Sequence, residues 1–289
     1  MMHYLKYSTH ILASICVFFI FFYGTSYINS LDEIQEKPAR HFRVLIVPGH
    51  EPQSGGAEFR TLAERDMASA VGHKVKDLLD TNPLYTTYIT RNSFMWDPLF
   101  ARYFATQEQA IVSWKNISRQ DELAFVSLGL QPNLSTFVRH GSASIDGAVR
   151  LYGISKWANE NYIDLVIHMH FDDDSKHKKN VAGKRSGFTV YVPPVGYNGA
   201  LQSQRFGQII AKYLLQHSNI NSLLSKSNGV VEDNRLIATG AHNTLEVPSV
   251  LVEYGYIYEG RFQSDLDRER AFNEVASSTY RAVNEFFSN

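Results

Sequence analysis

The fold is decided by residues Val44–Glu64, which read V-L-I-V-P-G-H-E-P-Q-S-G-G-A-E-F-R-T-L-A-E. The stretch begins as a short apolar strand, breaks at Pro48-Gly49 and leaves His50 at the strand's exit. A glycine-rich loop follows, and a helical pattern opens at Glu64. In an open α/β sheet, ligands bind outside the carboxyl ends of the strands. A histidine at a strand end and a carboxylate on the next helix therefore predict half of a metal site.

The composition is that of an ordinary globular protein, with 289 residues, 44% hydrophobic and 20% charged. This length allows one large domain or two small ones. The net charge of -1, without any run in which arginines and aromatics interleave, argues against nucleic-acid binding. The single cysteine, Cys16, excludes an intramolecular disulfide and a cysteine-based zinc site. Any metal must therefore be held by histidines and carboxylates.

The N-terminus carries an apolar run, Ile11–Ile28, after a leader that contains Lys6. A charged start followed by such a run predicts a secretory signal or an uncleaved membrane anchor within residues 1–28. As a helix the run would span about 27 Å, just enough for the bilayer core. The anchor is favoured because no A-x-A cleavage site follows, and residues 29–41 are expected to form a linker. We therefore expect the body of the chain to be exported, either anchored to the cell membrane or secreted after cleavage.

From residue 42 onward, predicted strands alternate with predicted helices. The strands are expected over Arg43–Val47, Tyr85–Thr90, Ile163–His168, Gly187–Val192 and Ser249–Glu253. The helices are expected over Leu62–Asp80, Leu201–Gln216 and Ser264–Phe287. This alternation predicts an α/β domain, residues 42–289, with a mostly parallel sheet flanked by helices.

One long insertion, about residues 92–148, follows the second strand. It is expected to be helical over Pro98–Trp114 and again over Glu122–Leu128, with polar turns around Pro132-Asn133. A connection of this length is usually a lid, an added subdomain or a mobile loop. We expect it to cover or shape the active-site cleft. Whether it inhibits, recruits a regulatory partner or only decorates the fold stays open.

Four polar side chains are expected to meet at the carboxyl edge of the sheet. His50, His168 and Glu253 each end a strand, and Glu64 opens the first helix. Two histidines and a glutamate are a recognised ligand set for catalytic zinc. Glu253 could be the general base that activates a water and then protonates the leaving amine. His170 shares a strand face with His168, and the pattern favours His168 as the ligand.

Several short motifs between about Arg43 and the C-terminus point to one family. They read P-G-H…G-G-A…E, T-R, A-N…I-D-L-V-I-H, G-F-T-V-Y and P-S-V-L-V-E-Y-G-Y. In combination they resemble the zinc-dependent N-acetylmuramoyl-L-alanine amidases. The resemblance implies a single α/β domain of about six strands, with Zn2+ held by His50, Glu64 and His168 and with Glu253 as the catalytic glutamate. It also implies hydrolysis of the amide bond between N-acetylmuramic acid and L-alanine, so that peptidoglycan is the substrate.

Two other functions fit the same residues. A zinc peptidase that cuts within the stem peptide would use the same ligands and base, whereas a non-catalytic cell-wall-binding domain would have no need of all four.

The chain also departs from the family pattern beside the first ligand, where Glu51 replaces a glycine. Arg91 and Asn159 match family positions and are expected to be structural.

Overall fold

The computed structural model describes residues 41–130, 144–174, 178–224 and 228–288. The predicted signal or anchor (residues 1–28) lies outside these residues, as does the predicted linker except for its last residue. Among the residues that the structure describes, no helix is long and apolar enough to cross a membrane.

The domain contains eight strands and five α-helices within its described residues. The strands are β1 (Phe42–Pro48), β2 (Glu58–Phe59), β3 (Leu62–Ala63), β4 (Tyr85–Ile89), β5 (Leu165–Asp172), β6 (Thr189–Val192), β7 (Val230–Glu232) and β8 (Ser249–Tyr256). The helices are α1 (Glu64–Asp80), α2 (Pro98–Ser127), α3 (Ile145–Glu160), α4 (Ala200–Leu214) and α5 (Asp265–Ser288). Short 3-10 turns cover Ile237–Thr239, Ala241–Asn243 and Gly260–Phe262.

Six of the strands form one sheet in the order β4-β1-β5-β8-β6-β7. The first four are mutually parallel, β6 is antiparallel to β8, and β7 runs parallel to β6. The predicted α/β class, with a mostly parallel sheet of about six strands, is thus confirmed. Because β4, β1, β5 and β8 point the same way, their carboxyl ends lie along one edge of the sheet.

Alternating side chains of the buried strands cover the two faces of the sheet. Val44 and Ile46 of β1 belong to the larger core, which packs beneath α1, α4 and α5. Leu45 and Val47 point the other way, into a smaller core formed with α2 and α3. Strands buried on both faces are typical of a parallel sheet between helical layers. This burial fixes the register of the strands, since a shift by one residue would exchange the two faces.

The insertion differs from its prediction in one respect, because α2 is a single helix rather than two. Asp97 caps it by accepting a hydrogen bond from the Leu99 backbone nitrogen at 2.9 Å, and Pro98 occupies the first turn. Only Phe100 and Ile111 of this helix are buried. The segment between the two predicted helices is therefore helical although it has no apolar stripe. The turns expected around Pro132-Asn133 lie outside the described residues.

Candidate metal centre

The side chains of His50, Glu64 and His170 converge at the carboxyl edge of the sheet. His50 Nε2 lies 2.6 Å from Glu64 Oε2, and His170 Nδ1 lies 2.8 Å from Glu64 Oε1. One potential ligand atom from each residue lies within 4.8 Å of the others. Two imidazoles and a carboxylate are a common donor set for a divalent transition metal. The chemistry and the spacing of the three groups therefore fit one ion.

Glu64 is held in place by backbone groups on both sides. It is the first residue of α1, and its carboxylate accepts hydrogen bonds from the Ala57 nitrogen at 3.0 Å and the Phe171 nitrogen at 3.1 Å. Burial alone would raise the pKa of Glu64, but the hydrogen bond to His170 and the contact with His50 hold its pKa well below the usual value. The carboxylate is therefore ionised and oriented before any ion binds, as a metal ligand must be.

Two glycines make room for the histidine rings. A Cβ atom at Gly56 would lie 2.4 Å from the His50 ring and 2.7 Å from Glu64 Oε2, and the residue also has a φ of +69°. A Cβ atom at Gly49 would lie 2.4 Å from Cε1 of His170. Any larger side chain at either position would displace a donor, so the glycine-rich loop packs directly against the cluster.

The loop that carries His50 is anchored by Arg91, which follows β4 and is buried. Its Nε donates to the carbonyl oxygen of His50 at 2.7 Å, and another guanidinium nitrogen donates to the carbonyl oxygen of Gly49. His50 itself has a positive φ of 64°, a conformation that non-glycine residues adopt only with support. Arg91 supplies that support, in keeping with the structural role expected for it. Burial lowers the pKa of Arg91 to about 10, so that it remains charged at neutral pH.

His168 was predicted to be the third member of the cluster, whereas the structure places His170 there. β5 runs on to Asp172, and it is His170, two residues beyond His168, that reaches Glu64. His168 is 2% exposed, and neither of its ring nitrogens has a hydrogen-bond partner within the described residues. Burial, followed by the nearby His170, lowers its pKa to about 3, so that the ring is neutral. The H-x-H spacing is the sequence signal that pointed to both residues.

Glu253 lies next to the cluster on β8, which was predicted to end at this residue and continues to Tyr256. It pairs with His170 of β5 and with Thr189 of β6. It is 8% exposed, and its Oε2 atom has no hydrogen-bond partner in the described part of the chain. Burial raises the pKa of Glu253 well above its usual value, and the charges of Asp172 and Glu64 add to this effect. A buried carboxyl group whose pKa is raised in this way is a candidate general acid and base.

Two of the other residues that the sequence singled out make structural contacts. Glu51 forms an ion pair with Arg150 of α3, at 2.7 Å. Asn159 donates to the Thr244 carbonyl oxygen at 3.0 Å and accepts from the Glu246 nitrogen at 3.1 Å, which ties α3 to the segment before β8.

A buried glutamate beside a His-Glu-His cluster, at the carboxyl edge of an α/β sheet, is an arrangement that metal-dependent hydrolases use. The family model described as N-acetylmuramoyl-L-alanine amidase matches residues 134–285, just over half of the 289-residue chain. The chain belongs to this family. It is therefore a peptidoglycan amidase, which hydrolyses the bond between N-acetylmuramic acid and L-alanine, as predicted. The matched region contains His170 and Glu253, whereas His50 and Glu64 precede it.

Solved structures of amidases share the fold. The N-acetylmuramoyl-L-alanine amidase from Clostridium difficile 630 is 13% identical, with a TM-score of 0.55 over 86% of this chain and 98% of that one. The catalytic domain of CwlV from Bacillus (Paenibacillus) polymyxa var. colistinus is 17% identical, with a TM-score of 0.53 over 86% and 98%. The CwlD amidase from Clostridioides difficile, in complex with the GerS lipoprotein, is 14% identical, with a TM-score of 0.55 over 86% and 99%. No curated protein sequence matches the chain.

Proposed function

We propose that this amidase binds one Zn2+ ion through His50, Glu64 and His170 and that Glu253 is its catalytic base. The observation that carries the proposal is the convergence of the three donors within 4.8 Å, beside a buried carboxyl group. The two glycines beside the rings support it, because a Cβ atom at either position would collide with one of the histidines. When bound, the ion supplies Lewis-acid chemistry at the scissile carbonyl group.

The chain's own residues account for the proton transfers. Glu253 Oε2 accepts a proton from the attacking water, since this oxygen has no hydrogen-bond partner within the described residues. The same carboxyl group then donates that proton to the nitrogen of L-alanine as the amide bond breaks. The raised pKa of Glu253 favours this second step, because a more weakly acidic carboxyl group can hold the proton until the amine leaves.

Zinc analysis and product analysis of the purified full-length chain test this proposal. We expect about one zinc per chain and release of stem peptides from purified peptidoglycan. Glu253→Gln should keep the zinc and lose the activity, whereas Glu246→Gln, at an exposed position, is a control that should keep both. Full activity of Glu253→Gln would refute the assignment of the base.

Mass spectrometry of the products separates the enzyme from its alternatives. Free L-alanine amino termini on intact stem peptides identify the amidase reaction. Cleavage inside the stem would indicate a zinc peptidase instead. Binding to the wall without any product would indicate a non-catalytic domain.

Residues 1–28 are proposed to anchor the domain to the outer surface of the cell membrane. The proposal is supported by the apolar run at Ile11–Ile28 and by a substrate that lies in the cell wall. Membrane fractionation followed by protease treatment of intact cells tests it. The chain should remain with the membrane at high pH and should be digested from outside. Release into the medium would show that the segment is cleaved.

A regulatory partner is proposed to bind at the insertion. Leu123 of α2 and Leu128, which directly follows the helix, are each 70% exposed, and they place two apolar side chains in solvent at the same helix end. The CwlD amidase, which shares the fold, was solved in complex with the GerS lipoprotein. A Leu123→Ser/Leu128→Ser variant should match the wild type as a purified enzyme and differ from it in cells. Equal activity in both settings would count against a partner at this surface.

A further inference from the structure

A tight turn between β4 and α2 holds two apolar side chains in solvent. Phe94 is 80% exposed and Met95 is 60% exposed. The side-chain oxygen of Asn92 accepts hydrogen bonds from the backbone nitrogens of Phe94 at 2.8 Å and Met95 at 2.9 Å. The Asn92 nitrogen in turn donates to the Met95 carbonyl oxygen at 3.0 Å. These three hydrogen bonds hold the backbone of the turn that carries the two side chains.

Single exposed apolar residues are common, so the exposure of Phe94 and Met95 does not by itself indicate a binding site. The position of their turn beside the ligand loop does. Arg91 donates to the Asn92 carbonyl oxygen at 2.9 Å and to the His50 carbonyl oxygen at 2.7 Å. One guanidinium group thus joins the turn to the loop that carries the first donor. Phe94 is only two residues beyond Asn92, a reach of about 7 Å along the chain. The exposed pair therefore lies on a turn that is tied directly to the ligand loop.

The turn and the residues of the site follow one another in the order of the strands in the sheet. The turn follows β4, His50 follows β1, His170 lies on β5 and Glu253 on β8, in the same order as the strands stand in the sheet. The carboxyl end of β5, on the other side of β1 from the turn, is charged: Asp172 ends the strand, and Asp174, two residues later, pairs with Arg185 at 3.4 Å. In the sheet order, His50 after β1 thus lies between an apolar end, after β4, and a charged end, after β5.

We propose that Phe94 and Met95 form a docking platform for the glycan strand of peptidoglycan. This inference rests on the proposed function. The substrate extends from the scissile amide in two directions, with an uncharged sugar chain on one side and a stem peptide that carries carboxylates on the other. Sugar rings present flat C–H faces that pack on an aromatic ring without needing a charge. The apolar end of the cleft matches that side, and the charged end matches the peptide.

The energetic role of such a platform is to bind a part of the substrate that does not react. Contacts remote from the reacting bond help to position it, and they are lost when the substrate is truncated. A substrate with several sugars should therefore benefit from Phe94 and Met95 more than a muramoyl peptide that carries one sugar. This difference is what an experiment can measure.

The test uses the full-length chain with Phe94→Ala/Met95→Ala, with the conservative variant Phe94→Trp, and with Leu201→Ala as a control. Leu201 is 71% exposed on α4, far along the chain from the turn. We expect the double variant to reduce the ratio of kcat/KM for glycan-linked peptides to kcat/KM for the single-sugar peptide by about tenfold, the effect of one lost stacking contact. Phe94→Trp and Leu201→Ala should preserve the ratio. An unchanged ratio in the double variant would overturn the proposal.

Sedimentation with glycan strands from which all peptides have been removed gives a readout that needs no activity. The wild type should sediment with the strands, and Phe94→Ala/Met95→Ala should sediment about tenfold more weakly. Equal sedimentation of the two would overturn the platform, whatever the enzyme's activity. If the wild type binds the strands but cleaves no substrate, the proposed function fails and the platform stands.

Discussion

Leucine substitutions at His168 and His170 separate the two candidates for the third metal ligand. We expect His170→Leu to lose the ion, because His170 Nδ1 lies 2.8 Å from the carboxylate of Glu64 and completes the cluster. We expect His168→Leu to keep it, because the His168 ring lies outside that cluster, one pleat earlier on the same strand. Both substitutions replace an imidazole by an apolar side chain on β5, so each serves as the control for the other.

The size of each effect follows from the contacts. Removal of a group that only supports a metal ligand weakens metal affinity by about 10- to 100-fold, so loss of the ligand itself should cost about 100-fold or more, or roughly 3 kcal/mol. His168→Leu should leave the zinc affinity within about threefold of the wild type. It should also stabilise the zinc-free chain by about 1 kcal/mol, since it removes two buried nitrogens that have no partner within the described residues.

Zinc affinity is measured by competition with a chromogenic chelator, and the free energy of unfolding by urea titration of the zinc-free chain. The reasoning is refuted if His168→Leu abolishes zinc binding while His170→Leu retains it. It is also refuted if His168→Leu lowers the free energy of unfolding by several kcal/mol, because the ring would then have a partner that matters.

Three further predictions concern the surroundings of the cluster. Gly56→Ala should lose zinc and about 1–3 kcal/mol of stability, whereas Gly129→Ala, at the same φ of +69° but with nothing within 4 Å, should keep its zinc; metal titration compares them. Arg91→Lys should lower the free energy of unfolding by about 3 kcal/mol in urea, because a lysine cannot serve two carbonyl groups of the ligand loop in the same geometry. In the zinc-free chain, the buried His168 should make stability fall as the pH drops from 6.5 towards its own pKa of about 3, since the unfolded chain takes up the proton first. This contribution amounts to about 5 kcal/mol at most, and His168→Leu should remove it from the pH dependence of urea unfolding.

The parallel sheet could be predicted from the sequence because its signals are local. Apolar runs of five or six residues, each followed by a turn signal and a helical pattern, predict buried strands of a mostly parallel sheet. The pattern does not give the direction of every strand, since β6 fits it and is antiparallel to β8. Once the strands are parallel, their carboxyl ends must share an edge, and the convergence of His50 and Glu253 follows from topology alone. Glu64 is placed by the same logic, as the first residue of the helix that returns from β1.

The choice between His168 and His170 could not be made in this way. Residues two apart on a strand point to the same face, so the alternation that predicts the strand treats both alike. The prediction ended β5 at His168, whereas pairing with β8 continues it to Asp172. What distinguishes the two histidines is the hydrogen bond between His170 and Glu64, residues separated by 106 positions. No local pattern contains that contact.

The sequence also did not predict that α2 is one continuous helix, because its middle lacks the pattern by which helices are recognised. Sequence patterns reveal helices through an apolar stripe, and α2 has almost none because it lies on the outside of the smaller core. Its contact with α3 depends instead on Gly153, where an added Cβ would lie 3.0 Å from Ile111 and Phe104. A glycine inside a helix usually lowers the stability of that helix, but here it permits close packing of two helices.

Glu51 shows how a departure from the family pattern can leave the metal centre intact. A carboxylate directly after His50 would be expected to compete for the ion or to repel the charge of Glu64. Instead, Arg150 of α3 binds it at 2.7 Å, and neither of its oxygens belongs to the cluster. The charge that replaced a glycine is thus neutralised by a residue that lies just beyond the insertion. The ion pair therefore joins α3 to the ligand loop at the residue directly after His50, and it neutralises the extra carboxylate beside the candidate metal ligands.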